Sequence, residues 1–230
     1  MLLVIGIFFM ILSWAVSSRL KSKFKKYSQI GIGSGLSGRE IAELMLRDNG
    51  ITDVQVVSVQ GQLTDHYNPA NKTVNLSPDV YHGRSAAAAA VASHECGHAV
   101  QHATAYSMLE FRSAMVPIQN VSARILNFVM LMAIFGGAFF MGIGMNSIIL
   151  ILISAQTVIT LFSLVTLPVE FDASKRALAW IDQRGIVSAT EHQMAKDALR
   201  WAAMTYVVAA LGAVTTLFYY IMMFMGGSRD

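Results

Sequence analysis

The chain has 230 residues and a formal net charge of +3; it is 54% hydrophobic and only 13% charged, with a mean hydropathy of +0.51. That is about half the charge of an ordinary soluble domain, so composition excludes a typical soluble enzyme and implies an integral membrane protein. A single cysteine, Cys96, rules out an intrachain disulfide and suits a reducing compartment.

In chain order, the first apolar stretch is Leu2 to Val16, short against the roughly 20 residues of a spanning helix. Ala15-Val16-Ser17 has the small residues of a signal cleavage site. The basic residues that should precede such an apolar core instead follow it, at Arg19, Lys21, Lys23, Lys25 and Lys26. Residues 1–18 are therefore expected to be a retained anchor with its N-terminus outside. A small α+β unit is expected next, within residues 19–125. Ser37-Gly38-Arg39-Glu40 is a capping box that opens a helix to about Asp48, and Gly50 is suited to close it. Gly33 to Gly38 matches the dinucleotide pattern G-x-G-x-x-G in form only, because no strand precedes it. Val54 to Val59 predicts a strand, Asp65 to Lys72 a turn-rich loop, and Thr73 to Leu76 a second strand.

An Ala-rich run then leads into His94-Glu95-Cys96-Gly97-His98. On a helix, positions four apart are separated by about 40° around the axis and about 6 Å along it, so both imidazoles can reach one ion. Glu95 points about 100° away from His94, where it can take a proton from water rather than join the ligand set. A chance match to H-E-x-x-H is common in a protein of this size. Here, however, the His-Glu-His cluster interrupts an apolar helix, where it is costly unless something satisfies it. Gly97 would let another backbone approach. Cys96, about 160° from His94, is expected to be a packing residue.

Two further spans are expected at 126–167, about Leu126 to Met145 and Ser147 to Leu167, with a turn across Gly142, Gly144 and Asn146; a cytoplasmic segment follows at 168–200 and a last span at 201–226. Of 17 Lys and Arg, all but Arg229 fall between the first and second spans or between the third and fourth. Both segments are thus expected in the cytoplasm. The positive balance is membrane-facing and needs no nucleic-acid partner.

Two histidines leave a catalytic zinc site one protein ligand short. His102 lies about 12 Å up the axis from His94, too far to share its ion. Gln101 and Thr104 occupy the positions where the longer H-E-x-x-H-x-x-G-x-x-H pattern needs Gly and His. Glu170 is the foremost candidate. It follows the third span directly, with Pro168 suited to the first turn of a new helix. Its same-face neighbours Ala173, Ser174 and Ala177 are small enough for close packing on the H-E-x-x-H helix. Asp172 is second, with Glu191 and Asp197 behind it. Tyr67 and His192 are candidate donors to a developing oxyanion, and His66 a substitute ligand or orienting group; bracing of a turn is the alternative for His66 and Tyr67. Arg112, Arg176 and Arg184 are either solvated interfacial charge or contacts for a carboxylate or lipid phosphate.

His94 to His98 followed by Glu170 resembles the gluzincins, zinc peptidases with two His and one Glu, and among them the membrane-embedded HtpX and CAAX-protease group. Leu63 to Pro69, Val91 to His102 and Val169 to Ser174 resemble more closely the YugP-type putative neutral zinc metallopeptidases of bacterial membranes, over about Gly35 to Thr205. The resemblance implies a mainly α-helical membrane protein with four transmembrane helices and a small α+β gluzincin-like zinc peptidase unit on the cytoplasmic side. It also implies pairing of an edge strand with the substrate backbone, for which the two predicted strands are the candidates. Many gluzincins carry Asp four residues after the ligand Glu to orient a ligand His; Ser174 stands there in this chain.

The expected protein is a zinc metalloendopeptidase of the bacterial inner membrane, active site toward the cytoplasm. His94, His98 and Glu170 would hold Zn2+, Glu95 would act as general base, and Tyr67 and His192 would assist. Partners would be the bilayer and a peptide or membrane-protein substrate, with a homo-oligomer left open. A site-2-type intramembrane protease is disfavoured because Ser85 to Thr104 is too polar for comfortable insertion. A catalytically silent zinc-containing scaffold or assembly factor would have no need of Glu95.

Overall fold

A computed structural model of the protein describes residues 1–135 and 144–227. The elements are α1 (Leu2–Ser28), α2 (Gly38–Asp48), β1 (Gln55–Ser58), β2 (His66–Asn68), β3 (Thr73–Leu76), α3 (Pro78–Tyr81), α4 (Ala86–Ala103), α5 (Ser107–Phe135), α6 (Met145–Gln183) and α7 (Ala189–Gly227). Among the described residues, four helices are long and apolar enough to cross a membrane, at Leu2–Ser28, Ser107–Met132, Met145–Gln183 and Ala189–Gly226.

All four extend beyond the apolar stretches expected from the sequence, the first running on to Ser28, the third to Gln183 and the last beginning at Ala189; the second helix and Pro168 show why. The second of these helices begins at Ser107, well ahead of Leu126, because Arg112 and Arg124 do not interrupt it; the Arg112 guanidinium lies 5.8 Å from the centre of the Phe162 ring. Pro168, expected to open a new helix, instead lies inside α6. Proline removes one N–H donor and crowds the carbonyl four residues earlier, but Val169, Ala173 and Ala177 just beyond it are fully buried, and that packing holds the following turns helical. Of the expected turn, Gly142 lies outside the described residues, Gly144 precedes α6, and Asn146 is already within it.

The described chain divides into two compact units. One comprises the described residues of 1–14, 111–167 and 206–230; the other is Ala15–Glu110 with Pro168–Thr205. In the first, Gln156 Nε2 and Thr160 Oγ1 of α6 both donate to the Ala213 carbonyl of α7, at 3.1 and 3.2 Å. Gly212 of α7 lies against the ring of Phe9 from α1.

The second unit is built around α4. Ser85 caps this helix, its hydroxyl accepting from the Ala88 N–H at 3.2 Å. Ala88, Ala92, Cys96 and Ala99 pack against Met45, Leu46, Val74, Leu76 and Val80, and Ile41 packs with the alanines on the other side. Ala86, Ala87, Ala89 and Ala90 face Ala177, Ile181, Ala195 and Leu199. A helix covered on most sides needs small side chains, which explains the alanine run. The large residues around it supply the transfer energy, about 1.5–3 kcal/mol for each of Ile41, Met45 and Leu76. The capping box of α2 is present, with Ser37 and Glu40 bonded reciprocally, and Gly50 takes the left-handed backbone at φ +69°.

The sheet order is β1-β3-β2. β1 runs parallel to β3 with Val56 opposite Val74, and β2 runs antiparallel to it with Tyr67 opposite Val74. The segment from Asp65, expected as loop, therefore contains a strand. β3, one of the two strands expected to pair with substrate, is the inner strand with both edges occupied, so only β1 and β2 are edges.

Candidate metal centre

Three side chains from two helices meet in the second unit. His94 and His98 lie one turn apart on α4, their rings crossing at 79° with centroids 4.8 Å apart. Glu170 reaches them from α6. Its Oε2 is 3.3 Å from His94 Nε2 and 3.6 Å from His98 Nε2. One ligand atom from each of the three residues lies within 4.8 Å of the others. Glu170 is 3% exposed and His98 9%. Glycine at position 97 permits this approach: a Cβ there would lie 2.6 Å from the Ala173 carbonyl oxygen and 3.2 Å from Ala173 Cα. Ala173 and Ala177 are fully buried on the facing side of α6.

The donor set suits zinc, two imidazole nitrogens and one carboxylate oxygen on borderline-soft metal. Both imidazoles also have partners at the other nitrogen. Ser174 Oγ is 3.1 Å from His94 Nδ1, and Gln101 Oε1 is 3.0 Å from His98 Nδ1. Such bonds fix ring orientation. Burial opposes charge on His98, but its bond to Glu170 and the nearby Glu95 charge outweigh burial and raise its pKa above the ordinary imidazole value.

Glu95 is buried beside these residues, and its Oε2 accepts the backbone N–H of Tyr67 at 3.0 Å. Strand β2 thus aims the carboxylate. The Tyr67 phenol pairs with His102 Nδ1 at 2.7 Å, so what Tyr67 gives Glu95 comes from the main chain. His66 is exposed, its Nδ1 2.8 Å from the Thr64 carbonyl. His192 Nε2 is 3.3 Å from the Leu178 carbonyl, and the residue shares with Ser174 a cavity of about 470 Å³.

The other carboxylates considered as ligands are engaged elsewhere. Asp172 accepts from Gln101 Nε2 at 2.9 Å and Arg176 Nε at 2.6 Å. Glu191 accepts from the backbone of Gly33 and Ser188, and Asp197 pairs with Lys23 and the Tyr27 hydroxyl. Arg184 pairs with Asp48. Cys96 is fully buried, which pushes its thiol far above the usual range, and its Sγ lies 3.6 Å from the Ala42 carbonyl. Two contributors escaped sequence reasoning: the backbone of Tyr67, which has no side-chain signature, and Gln101, whose spacing three beyond His98 was the available signal.

A helix pair that brings two imidazoles and a carboxylate together within an apolar chain defines a class. The family model for putative neutral zinc metallopeptidases matches residues 2–225, and the chain belongs to that family. It is 40% identical over 219 residues to the "Putative membrane protease YugP" of Bacillus subtilis (strain 168), an alignment covering 95% of this chain and 94% of that protein. No solved structure matches.

Proposed function

We propose that this protein is a membrane-bound zinc metalloendopeptidase that hydrolyses internal peptide bonds, with its site on the cytoplasmic side of the bacterial inner membrane. The observation carrying this is the convergence of His94, His98 and Glu170 beside a buried carboxylate, Glu95, that is aimed by a main-chain donor. Zinc would be held by those three residues, and when bound it would supply Lewis acidity that acidifies water and polarises a carbonyl. Glu95 accepts the proton of the attacking water and returns it to the leaving amine. Ser174 and Gln101 keep the imidazoles oriented. Edge strand β2, joined to Glu95 through Tyr67, is the edge on which an extended substrate backbone would align beside the base. His192 and Tyr67 are the proposed donors to the oxyanion; for the Tyr67 phenol that role requires release from His102. Substrates would be membrane proteins or their cytoplasmic segments, met at the bilayer.

Glu95→Gln tests this in the purified, detergent-solubilised protein. Cleavage of a peptide reporter should fall by about 10²- to 10⁴-fold while one zinc per chain is retained. A chelator should abolish wild-type cleavage and added zinc restore it. Undiminished cleavage by the variant would remove Glu95 from the mechanism.

A further inference from the structure

Gln101 is fully buried, and every hydrogen-bonding group of its side chain is used. Nε2 lies 2.8 Å from the Val169 carbonyl and 2.9 Å from Asp172 Oδ2. A carbonyl can only accept, so the end of the amide facing Val169 must be nitrogen, and the two ends cannot be exchanged. Oε1 therefore faces His98 Nδ1 at 3.0 Å. An amide oxygen also only accepts, so Nδ1 carries the hydrogen. In the neutral ring, Nε2 is then left with its lone pair, 3.6 Å from Glu170 Oε2. Two electron-rich atoms turned toward each other at that distance repel unless a cation is shared between them.

The same side chain joins the two ligand-bearing helices. Val169 immediately precedes Glu170, so the bond from Gln101 ties the His98 turn of α4 to the Glu170 turn of α6. Arg176 Nε holds Asp172 at 2.6 Å, which keeps the acceptor for the second amide hydrogen in place and offsets its charge. His98 is consequently oriented by a neutral amide, with the carboxylate one bond further away.

We propose that Gln101 is a positioning residue for the metal centre: it fixes the His98 tautomer so that Nε2 presents its lone pair to the ion, and it registers α4 against α6 through Val169 and Asp172. This rests on the zinc reading above, and the experiment separates the two. Zinc affinity of the full chain in detergent is measured by competition with a chromogenic chelator, and the His98 tautomer by nitrogen-15 NMR of histidine-labelled protein at alkaline pH, without and with zinc. Gln101→Leu should weaken zinc binding by about 10- to 100-fold and lose the single Nδ1–H tautomer. Gln156→Leu, which removes a buried amide bonded to the Ala213 carbonyl, should change neither.

A second variant, Asp172→Asn, separates the amide from the carboxylate behind it. An asparagine oxygen can still accept from both Gln101 Nε2 and Arg176 Nε, which share one oxygen of Asp172, so zinc affinity should stay within about tenfold of wild type with the Nδ1–H tautomer intact. Should Gln101→Leu fail to fold, this variant and the wild-type tautomer still decide. Gln101→Leu that keeps both zinc affinity and tautomer, an Asp172→Asn protein that loses the Nδ1–H tautomer, or a wild-type His98 protonated at Nε2 instead, overturns the positioning role. Wild-type protein that binds no zinc removes the metal reading itself, and the metal-free tautomer then judges Gln101 alone.

Discussion

Buried polar side chains join helices in both units, but to different ends. In the first unit, Gln156 and Thr160 donate to one carbonyl on α7, and the contact is complete as it stands. In the second, His94, His98 and Glu170 turn their ligand atoms toward one another, and the partners on their outer sides, Ser174 and Gln101, only steer them. A polar contact that completes itself fastens helices; one that leaves its acceptors converging prepares a cation site. The small residues Gly97, Ala173 and Ala177 make the second kind possible, because the backbones must come close before side chains from both helices can share a point.

Substitutions on either side sharpen that contrast. Glu170→Ala removes the sole carboxylate of the set and should weaken zinc binding by more than the roughly 100-fold seen when an outer partner is lost, read as metal content after dialysis; zinc retained at wild-type level would show that the three residues do not act together. Gly97→Ala puts a methyl group against the Ala173 backbone and should cost about 1–3 kcal/mol of stability, visible as a lower melting temperature in detergent. Ser174→Asp supplies His94 with a charged partner and should tighten zinc binding about tenfold; an unchanged chelator competition would mean that the hydroxyl already orients the ring fully. Gln156→Leu should cost only about 0.6 kcal/mol and leave zinc affinity untouched, the smallest change and the one that separates fastening from ligation.

The parts of this arrangement written in local spacing were legible in the chain. The four-residue separation of His94 and His98, the Ser37 and Glu40 capping box, and the small residues after Glu170 each state a helical fact within a few positions. What depended on distant partners was not. Strand β2 is three residues long and exists through pairing with β3, so its own sequence reads as a turn. Pro168 carries a strong local signal for a helix start, overridden by the burial of Val169, Ala173 and Ala177 just beyond it. Gln101 was noticed only for breaking a longer histidine motif, since the meaning of a buried amide depends on what α6 brings to it. Asp172, a ligand candidate by position, is drawn off by Arg176, a pair four residues apart that local spacing does show, and by Gln101 from α4, which it does not.

The peptide N–H of Tyr67 that holds Glu95 has a bearing on how this chain can drift. Because every residue but one carries that group, codon changes at position 67 can replace the aromatic ring without erasing the hold on Glu95. Proline alone would silence it. Mutational scanning should therefore separate two losses there: replacements that keep the N–H forfeit no more than what the phenol contributes, whereas the single imino acid also frees Glu95, an imprint that comparing side chains across relatives would overlook.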